Sequence, residues 1–296
     1  MTTFKSVDPK EISTGAFHHY MLGVVAPRPI AFASTVDAEG NVNLSPYSFF
    51  NAFGSNPPTL IFSPARRVRD NTTKHTLQNV QEVKEVVINI VNYPIVEQMS
   101  LSSTEYDKGV NEFIKAGLTE EPSVMVKPPR VKEAPAAFEC IVKEVIETGQ
   151  EGGAGNLIIC EVVLAHFNEA ILDEAGKVDT VKADLVGRMG GNWYCRANGN
   201  ALFEVAKPIR NKGIGVDLMP EAVRNSHILT GNNLGKLGNI EQLPDAAEIV
   251  KFKENQAIQD LLKDAGNLEE NLHRLAQKYL ENNQLNEAWL TLLQKV

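Results

Sequence analysis

The chain has 296 residues, enough for one large domain or for one domain with an appendage. Hydrophobic residues make up 43% and charged residues 22%, an ordinary globular balance, and no apolar run approaches the roughly 20 residues a membrane helix needs. The formal net charge of −8 argues against nucleic acid as a partner and confines any phosphate site to a local basic pocket.

The first two thirds read as β. The N-terminal Met1-Thr2-Thr3-Phe4-Lys5 has no apolar signal core, so the cytoplasm is the expected location. Val24–Ala26 leads through Pro27-Arg28-Pro29 into a strand over 30–36. The turn Asp37-Ala38-Glu39-Gly40 then returns the chain as a second strand from Val42. Short strands follow at 59–62 and 83–91. Phe138–Ile146 and Leu157–Phe167 flank a Gly-rich connection and form a hairpin, and 178–181 is a smaller strand candidate. Many short strands with turns between them suggest a barrel or sandwich, not a βαβ sheet. Helices are expected over 70–79, 94–99 and 108–116. Cys140, Cys160 and Cys195 form no CxxC pair and are odd in number. That argues against a disulfide framework and a zinc site, and the first two sit in strand-like runs that bury reduced thiols.

The character changes after Lys207-Pro208. Residues 209–244 are rich in Gly and Asn. Beyond Pro244, apolar residues recur at helical spacing: Ile249 and Phe252, Ile258 to Leu262, Leu268 to Tyr279, and Leu285 to Leu293. This tail is too apolar on one face to be a solvated leash. The division is therefore 1–208 and 209–296.

The densest polar constellation is Ser63-Pro64-Ala65-Arg66-Arg67-Val68-Arg69-Asp70-Asn71-Thr72-Thr73-Lys74. Three arginines and a lysine stand beside hydroxyls and free amides at an expected helix start, a recipe for holding a phosphate monoester. A solvated basic loop is the competing reading. Asn43 to Asn51, with Ser45, Tyr47, Ser48 and Phe49, alternates small hydroxyls with aromatics after a strand. It suits a flat ring system or a half-buried strand. Arg188 stands near Gly190-Gly191, where a backbone can approach a ligand closely. No catalytic triad, paired-carboxylate motif or metal signature is present, and the six histidines include no HxxxH or HExxH.

In order along the chain, several segments together resemble the flavin reductase-like, FMN-binding split-barrel family. They are Arg28-Pro29-Ile30-Ala31-Phe32-Ala33-Ser34-Thr35, Ser45-Pro46-Tyr47-Ser48-Phe49-Phe50, Asn56-Pro57-Pro58-Thr59-Leu60-Ile61-Phe62-Ser63 and Arg69-Asp70-Asn71-Thr72. Glu85-Val86-Val87-Ile88-Asn89-Ile90, Val126-Lys127-Pro128-Pro129-Arg130-Val131, Phe138-Glu139-Cys140 and Arg188-Met189-Gly190-Gly191 follow. The resemblance spans residues 15–208. It implies a mainly β fold, a six-stranded Greek-key split barrel with a helical C-terminal extension, and a homodimer with FMN near the interface. It implies that Arg66, Arg69 and Thr72 hold the phosphate, and that Ser45, Tyr47, Ser48 and Phe49 line the ribityl chain and ring. Ser63 would sit near the phosphate or ribityl end, and Ser102, Ser103 and Arg188 would add further contacts. Asn71 stands where many relatives have Asp directly followed by Thr, so the phosphate ligand is open among Asn71, Thr72 and Thr73. The activity implied is NAD(P)H:flavin oxidoreduction, with a monooxygenase or another redox partner as acceptor. The alternatives are a flavoredoxin-like carrier with tightly held FMN, or a non-catalytic FMN-binding or assembly protein docking through the helical tail. For the stretch 230–238, two roles are open: packing, or a lid over the flavin.

Overall fold

The computed structural model describes residues 2–208, 212–263 and 265–295. Contacts divide them into two units, one ending at Phe203 and one beginning at Glu204. Residues 209–211, the start of the Gly/Asn-rich stretch, lie outside the described residues.

The first unit opens with helix α1 (Thr14–Val24), capped by the Ser13 hydroxyl. Strands β1 (Ala31–Val36), β2 (Val42–Tyr47), β3 (Phe50–Ser55) and β4 (Pro58–Phe62) follow, then α2 (His75–Glu82) and β5 (Glu85–Ile90). After α3 (Val96–Leu101) and α4 (Glu112–Ala116), the chain forms the short pair β6 (Glu120–Glu121) and β7 (Arg130–Val131). The twelve-residue strands β8 (Ala136–Glu147) and β9 (Asn156–Phe167) form the long hairpin. The unit closes with α5 (Thr180–Ala183) and a second hairpin, β10 (Val186–Arg188) with β11 (Tyr194–Arg196).

Seven strands make one antiparallel sheet in the order β2-β1-β5-β8-β9-β4-β3. That is one more than the six expected. The addition is β3, which pairs with β4 through a register shift between Ala52 and Gly54. The outer strands β2 and β3 are consecutive in the chain and are joined only by Ser48 and Phe49. No ladder connects them. A two-residue link between the first and last strands requires the sheet to roll round on itself, and the missing ladder leaves a split at Ser48-Phe49.

The core follows the period-two rule of strands. Ala31 and Ala33 of β1 face an interior shared with Tyr47, Phe62, Ile88, Cys140, Ile158 and Cys160. Ile30 and Phe32 face the opposite side, against Met99 of α3 and Phe113 and Ala116 of α4. Both faces of β1 are therefore covered, and every one of its residues is buried. Helix α2 adds Leu77 and Val80 to the interior. Cys140 and Cys160 are free and buried, and burial pushes the Cys140 thiol up to about 12.

Local chemistry moved three expected elements. The helix expected from 70 starts at His75, because Asp70 caps Thr72 instead of a helix and Asn71 takes a left-handed φ of 55°. The strand expected over 178–181 is a single bridge from Val178 to Leu172. Asp179 then caps α5. The helix expected from 108 begins at Glu112, with Asn111 as its cap.

The second unit is helical: α6 (Glu221–Arg224), α7 (Gly231–Leu237), α8 (Ala246–Phe252), α9 (Gln256–Lys263), α10 (Leu268–Glu281) and α11 (Leu285–Leu292). Met219, Val223, Leu237, Ala276, Leu280, Trp289 and Leu292 share its core. The Gly/Asn-rich stretch 230–238 is not irregular. Thr230 and Asn233 form a reciprocal capping box that starts α7, Leu237 is fully buried, and Trp289 Nε1 donates to the Leu237 carbonyl at 3.1 Å. Among the described residues, no helix is long and apolar enough to cross a membrane.

Candidate functional site

The basic loop leaves β4 and is held from two sides. On one side it meets the turn between β8 and β9. Arg66 N donates to Ala154 O at 2.8 Å, and Asn71 Nδ2 donates to Gln150 O at 3.0 Å. A Cβ on Gly152 would lie 3.0 Å from Val68 O, so any larger residue would push the two backbones apart by a few tenths of an ångström. Arg66 turns back onto its own loop, donating through Nε to Asn71 Oδ1 at 2.7 Å and through Nη2 to Asn71 O at 2.9 Å. It fixes Asn71 in its left-handed conformation.

On the other side, Arg67 Nη1 donates to Thr72 Oγ1 at 2.9 Å and to Thr73 O at 2.8 Å, which closes the loop. Its Nε donates to Glu105 Oε1 at 3.0 Å. Arg69 is exposed and pairs with Asp70 and Glu105. The arginines thus split between two faces. Arg67 and Arg69 share Glu105, and Arg66 engages Asn71, whose side-chain amide reaches the hairpin turn. The hydrogen bonds from Thr72, then the Arg69 guanidinium, hold the Asp70 carboxyl down at about 2.

Lys74 ends the loop beside the end of β2. Its ammonium lies 5.1 Å from the centre of the Tyr47 ring. It is half-buried and, among the described residues, has no carboxylate within ion-pair distance. Burial, then the Arg67 charge, push its pKa down. Tyr47 is buried and donates to Thr76 Oγ1 at 2.8 Å, and Asn43 Nδ2 donates to the same oxygen at 2.9 Å. Burial pushes the phenol up, opposed by hydrogen bonds with Ser45 and Thr76. Ser45, Tyr47, Lys74, Arg67 and Thr72 therefore form one connected group. His75 borders it, and burial with the Arg67 and Lys108 charges pushes its imidazole pKa down.

Ser48 and Phe49 sit at the split. Phe49 O accepts from Ser63 N at 2.9 Å, and Phe49 stands edge-on to the His18 ring of α1. Ser63 is buried. Its hydroxyl accepts from Asn156 N at 3.0 Å, while Asn156 Nδ2 donates to Pro64 O at 2.7 Å. The split, the loop and the long hairpin are thus stitched together at Ser63. Arg28 approaches Ser48 Oγ at 3.5 Å. Its buried guanidinium also donates to the Leu22 and Met189 carbonyls at 2.9 and 2.8 Å, fixing α1 and the second hairpin around the split.

The remaining expected residues are placed differently. Arg188 spends its donors on its own hairpin, to Gly191 O at 2.7 Å and to the Tyr194 hydroxyl. Ser102 Oγ donates to Met99 O and Ser103 Oγ to Ser100 O, which finishes α3. The residue of that segment that reaches the arginines is Glu105, which sequence reasoning did not single out. Nor did it single out Lys74 or Arg67 within the basic run, or Arg28. For Arg67 and Lys74 the basic run itself was the signal. For Glu105 there was none, because only the fold brings residues 67 and 105 together. Among the described residues, no group of three or more His, Cys, Asp or Glu could hold a metal ion.

The family described as the flavin reductase like domain matches residues 24–182 of this chain. An uncharacterized protein of Aquifex aeolicus is 39% identical over 196 residues, which is 66% of this chain and 97% of that protein. Among solved structures, nitrilotriacetate monooxygenase component B from Bacillus cereus is 28% identical and has a TM-score of 0.64. The match covers 69% of this chain and all of that one. The 2-nitrobenzoate 2-nitroreductase of Pseudomonas fluorescens is 27% identical with a TM-score of 0.60, covering 74% of this chain and all of its own. The chain belongs to the flavin reductase-like family, and its second unit lies beyond the family match.

Proposed function

We propose that this member of the flavin reductase-like family binds FMN on its first unit and moves electrons from NAD(P)H through it. The observation that carries the FMN reading is Lys74: a half-buried ammonium beside Arg67, with no carboxylate partner among the described residues. Leaving a cation partly desolvated and unpaired is costly, and an anionic ligand group removes that cost. A terminal phosphate supplies such a group. Arg67, Arg69, Lys74, Thr72 and Thr73 would hold it, with Arg66 keeping the loop in shape through Asn71. Ser45 and Tyr47 would face the polyol chain. Ser48 and Phe49, at the split, would offer backbone and ring contacts to the flat end, with Ser63 fixing their position.

FMN, when bound, supplies the two-electron redox chemistry. This chain's residues have only to place the reacting groups and exclude water, since hydride transfer depends on alignment more than on an acid or a base. That suits a site of arginines, hydroxyls and aromatics with no nucleophile–base pair. NAD(P)H as donor, a homodimer with FMN near its interface, and a monooxygenase or other redox partner as acceptor complete the proposal.

The test is spectroscopic. The purified full-length protein is titrated with FMN, then with NADH and NADPH without oxygen. Binding of FMN followed by bleaching of its visible absorption supports the proposal. A protein that binds FMN but is bleached only by a redox partner is a carrier, not a reductase. A protein that binds no FMN overturns the reading.

A further inference from the structure

We infer that Glu105 is an internal competitor for the phosphate-binding arginines, a specificity-determining carboxylate that a ligand's phosphate must displace. The inference rests on the proposed reading of the loop as a phosphate site.

The geometry has three parts. First, one carboxylate bridges two guanidinium groups: Oε1 accepts from Arg67 Nε at 3.0 Å and Oε2 from Arg69 Nη2 at 2.5 Å. This is the donor arrangement a phosphate monoester would use, with two oxygens of one anion on two arginines. Second, Glu105 is not needed to build the loop. Arg67 is already fixed by Thr72 Oγ1 and Thr73 O, the Thr72 amide by Asp70, and Asn71 by Arg66. Third, the Arg69–Glu105 pair is open to water, while Arg67 is the more covered partner at 20% exposure. The Glu105 side chain keeps 48% of its exposure and that of Arg69 70%, and exposed ion pairs are weakly held. A doubly charged phosphate also reaching Lys74 can displace such a carboxylate, whereas an ordinary singly charged anion gains little over it.

The other groups facing this carboxylate agree with a role in competition. Lys74 is close enough to feel its charge without pairing with it. Arg69, then Arg67, hold the Glu105 carboxyl below the usual carboxylate range, so the competitor carries its charge at neutral pH. Ser102 and Ser103 are tied to α3 and do not hold Glu105 in place.

The experiment measures dissociation constants of the full-length protein for FMN and riboflavin, with inorganic phosphate as a displacing probe. Wild type is compared with Glu105→Gln, Glu105→Ala and Glu105→Asp. Expected are about threefold to tenfold tighter FMN binding in Glu105→Gln and Glu105→Ala, and displacement by correspondingly less inorganic phosphate. Riboflavin, which has no phosphate, should bind all four proteins alike, and Glu105→Asp should stay near wild type. Unchanged or weaker FMN binding in both Glu105→Gln and Glu105→Ala, with wild type still preferring FMN to riboflavin, overturns the competitor role alone. A wild type that binds FMN no better than riboflavin overturns the phosphate-loop reading and the inference with it.

Discussion

The two units of this chain solve the same packing problem with different materials. The helical unit is held by an apolar core around Leu237, Ala276, Leu280 and Trp289, with His273, Thr291 and Gln294 among its few buried polar residues. The sheet unit also has apolar interiors, but it buries Arg28, Ser34, Thr35, Asn43, Ser63, Thr76, Asn79, Glu112 and Asn156 as well. Several of these border the basic loop or the split. Buried polar groups destabilise unless paired, and even when paired they contribute less than an apolar core of the same volume. Their concentration in one unit marks where the fold gives up stability to fix the position of particular atoms. The helical unit shows no such concentration.

Core truncation should break this contrast most severely. Trp289→Ala removes a fully buried ring and its bond to the Leu237 carbonyl, and should destabilise the helical unit by about 3–5 kcal/mol. Calorimetry should show the loss, while FMN affinity stays within about twofold if the site lies wholly in the sheet unit. A large fall in FMN affinity would show that the site extends into the helical unit.

The next effect is smaller and belongs to the loop. Arg67→Ala removes the donors to Thr72 Oγ1 and Thr73 O, together with one side of the proposed phosphate site. Charge-assisted contacts are worth about 1.5–3 kcal/mol, so FMN should bind roughly tenfold to a hundredfold more weakly. Arg69→Ala should cost less, because that side chain is exposed and its charge is shared with Asp70 and Glu105. An Arg69 effect exceeding that of Arg67 would contradict this ranking of the two arginines.

The smallest effect is a pH dependence. Glu112 is buried, accepts from Leu44 N at 2.9 Å, and burial raises its pKa. A carboxyl raised on folding binds its proton more tightly in the folded state. Its contribution is present at acid pH and is lost as pH rises through the raised value. Glu112→Gln keeps the acceptor for Leu44 N without the charge. Its melting temperature should move upward relative to wild type as pH rises from 4 to 8. A gap that stays constant would contradict this.

Much of the sheet unit is legible from residue order, because alternation and β-branched runs are local signals. Val86–Ile90 and the long hairpin are of this kind, and in the helical unit so is the periodicity beyond Pro244. Helix α1 was not legible, since none of its residues is buried and no apolar stripe marks it. Nor was β3, five of whose six residues are exposed. The site divides in the same way. The basic run is written contiguously and could be found. The split at Ser48-Phe49 exists only once the sheet has rolled, and the partner of Arg67 comes from a distant segment. Local pattern finds the donors, whereas the fold decides which of them face a common space.

The claim that this loop receives the flavin phosphate is tested most directly by one ratio, the dissociation constant for riboflavin divided by that for FMN. It should be measured in wild type and in Lys74→Met, which keeps the apolar stem and removes the ammonium. The ratio should be large in wild type and fall about tenfold in Lys74→Met, with riboflavin affinity unchanged. An unchanged ratio, in a variant that folds as wild type does, would contradict the assignment.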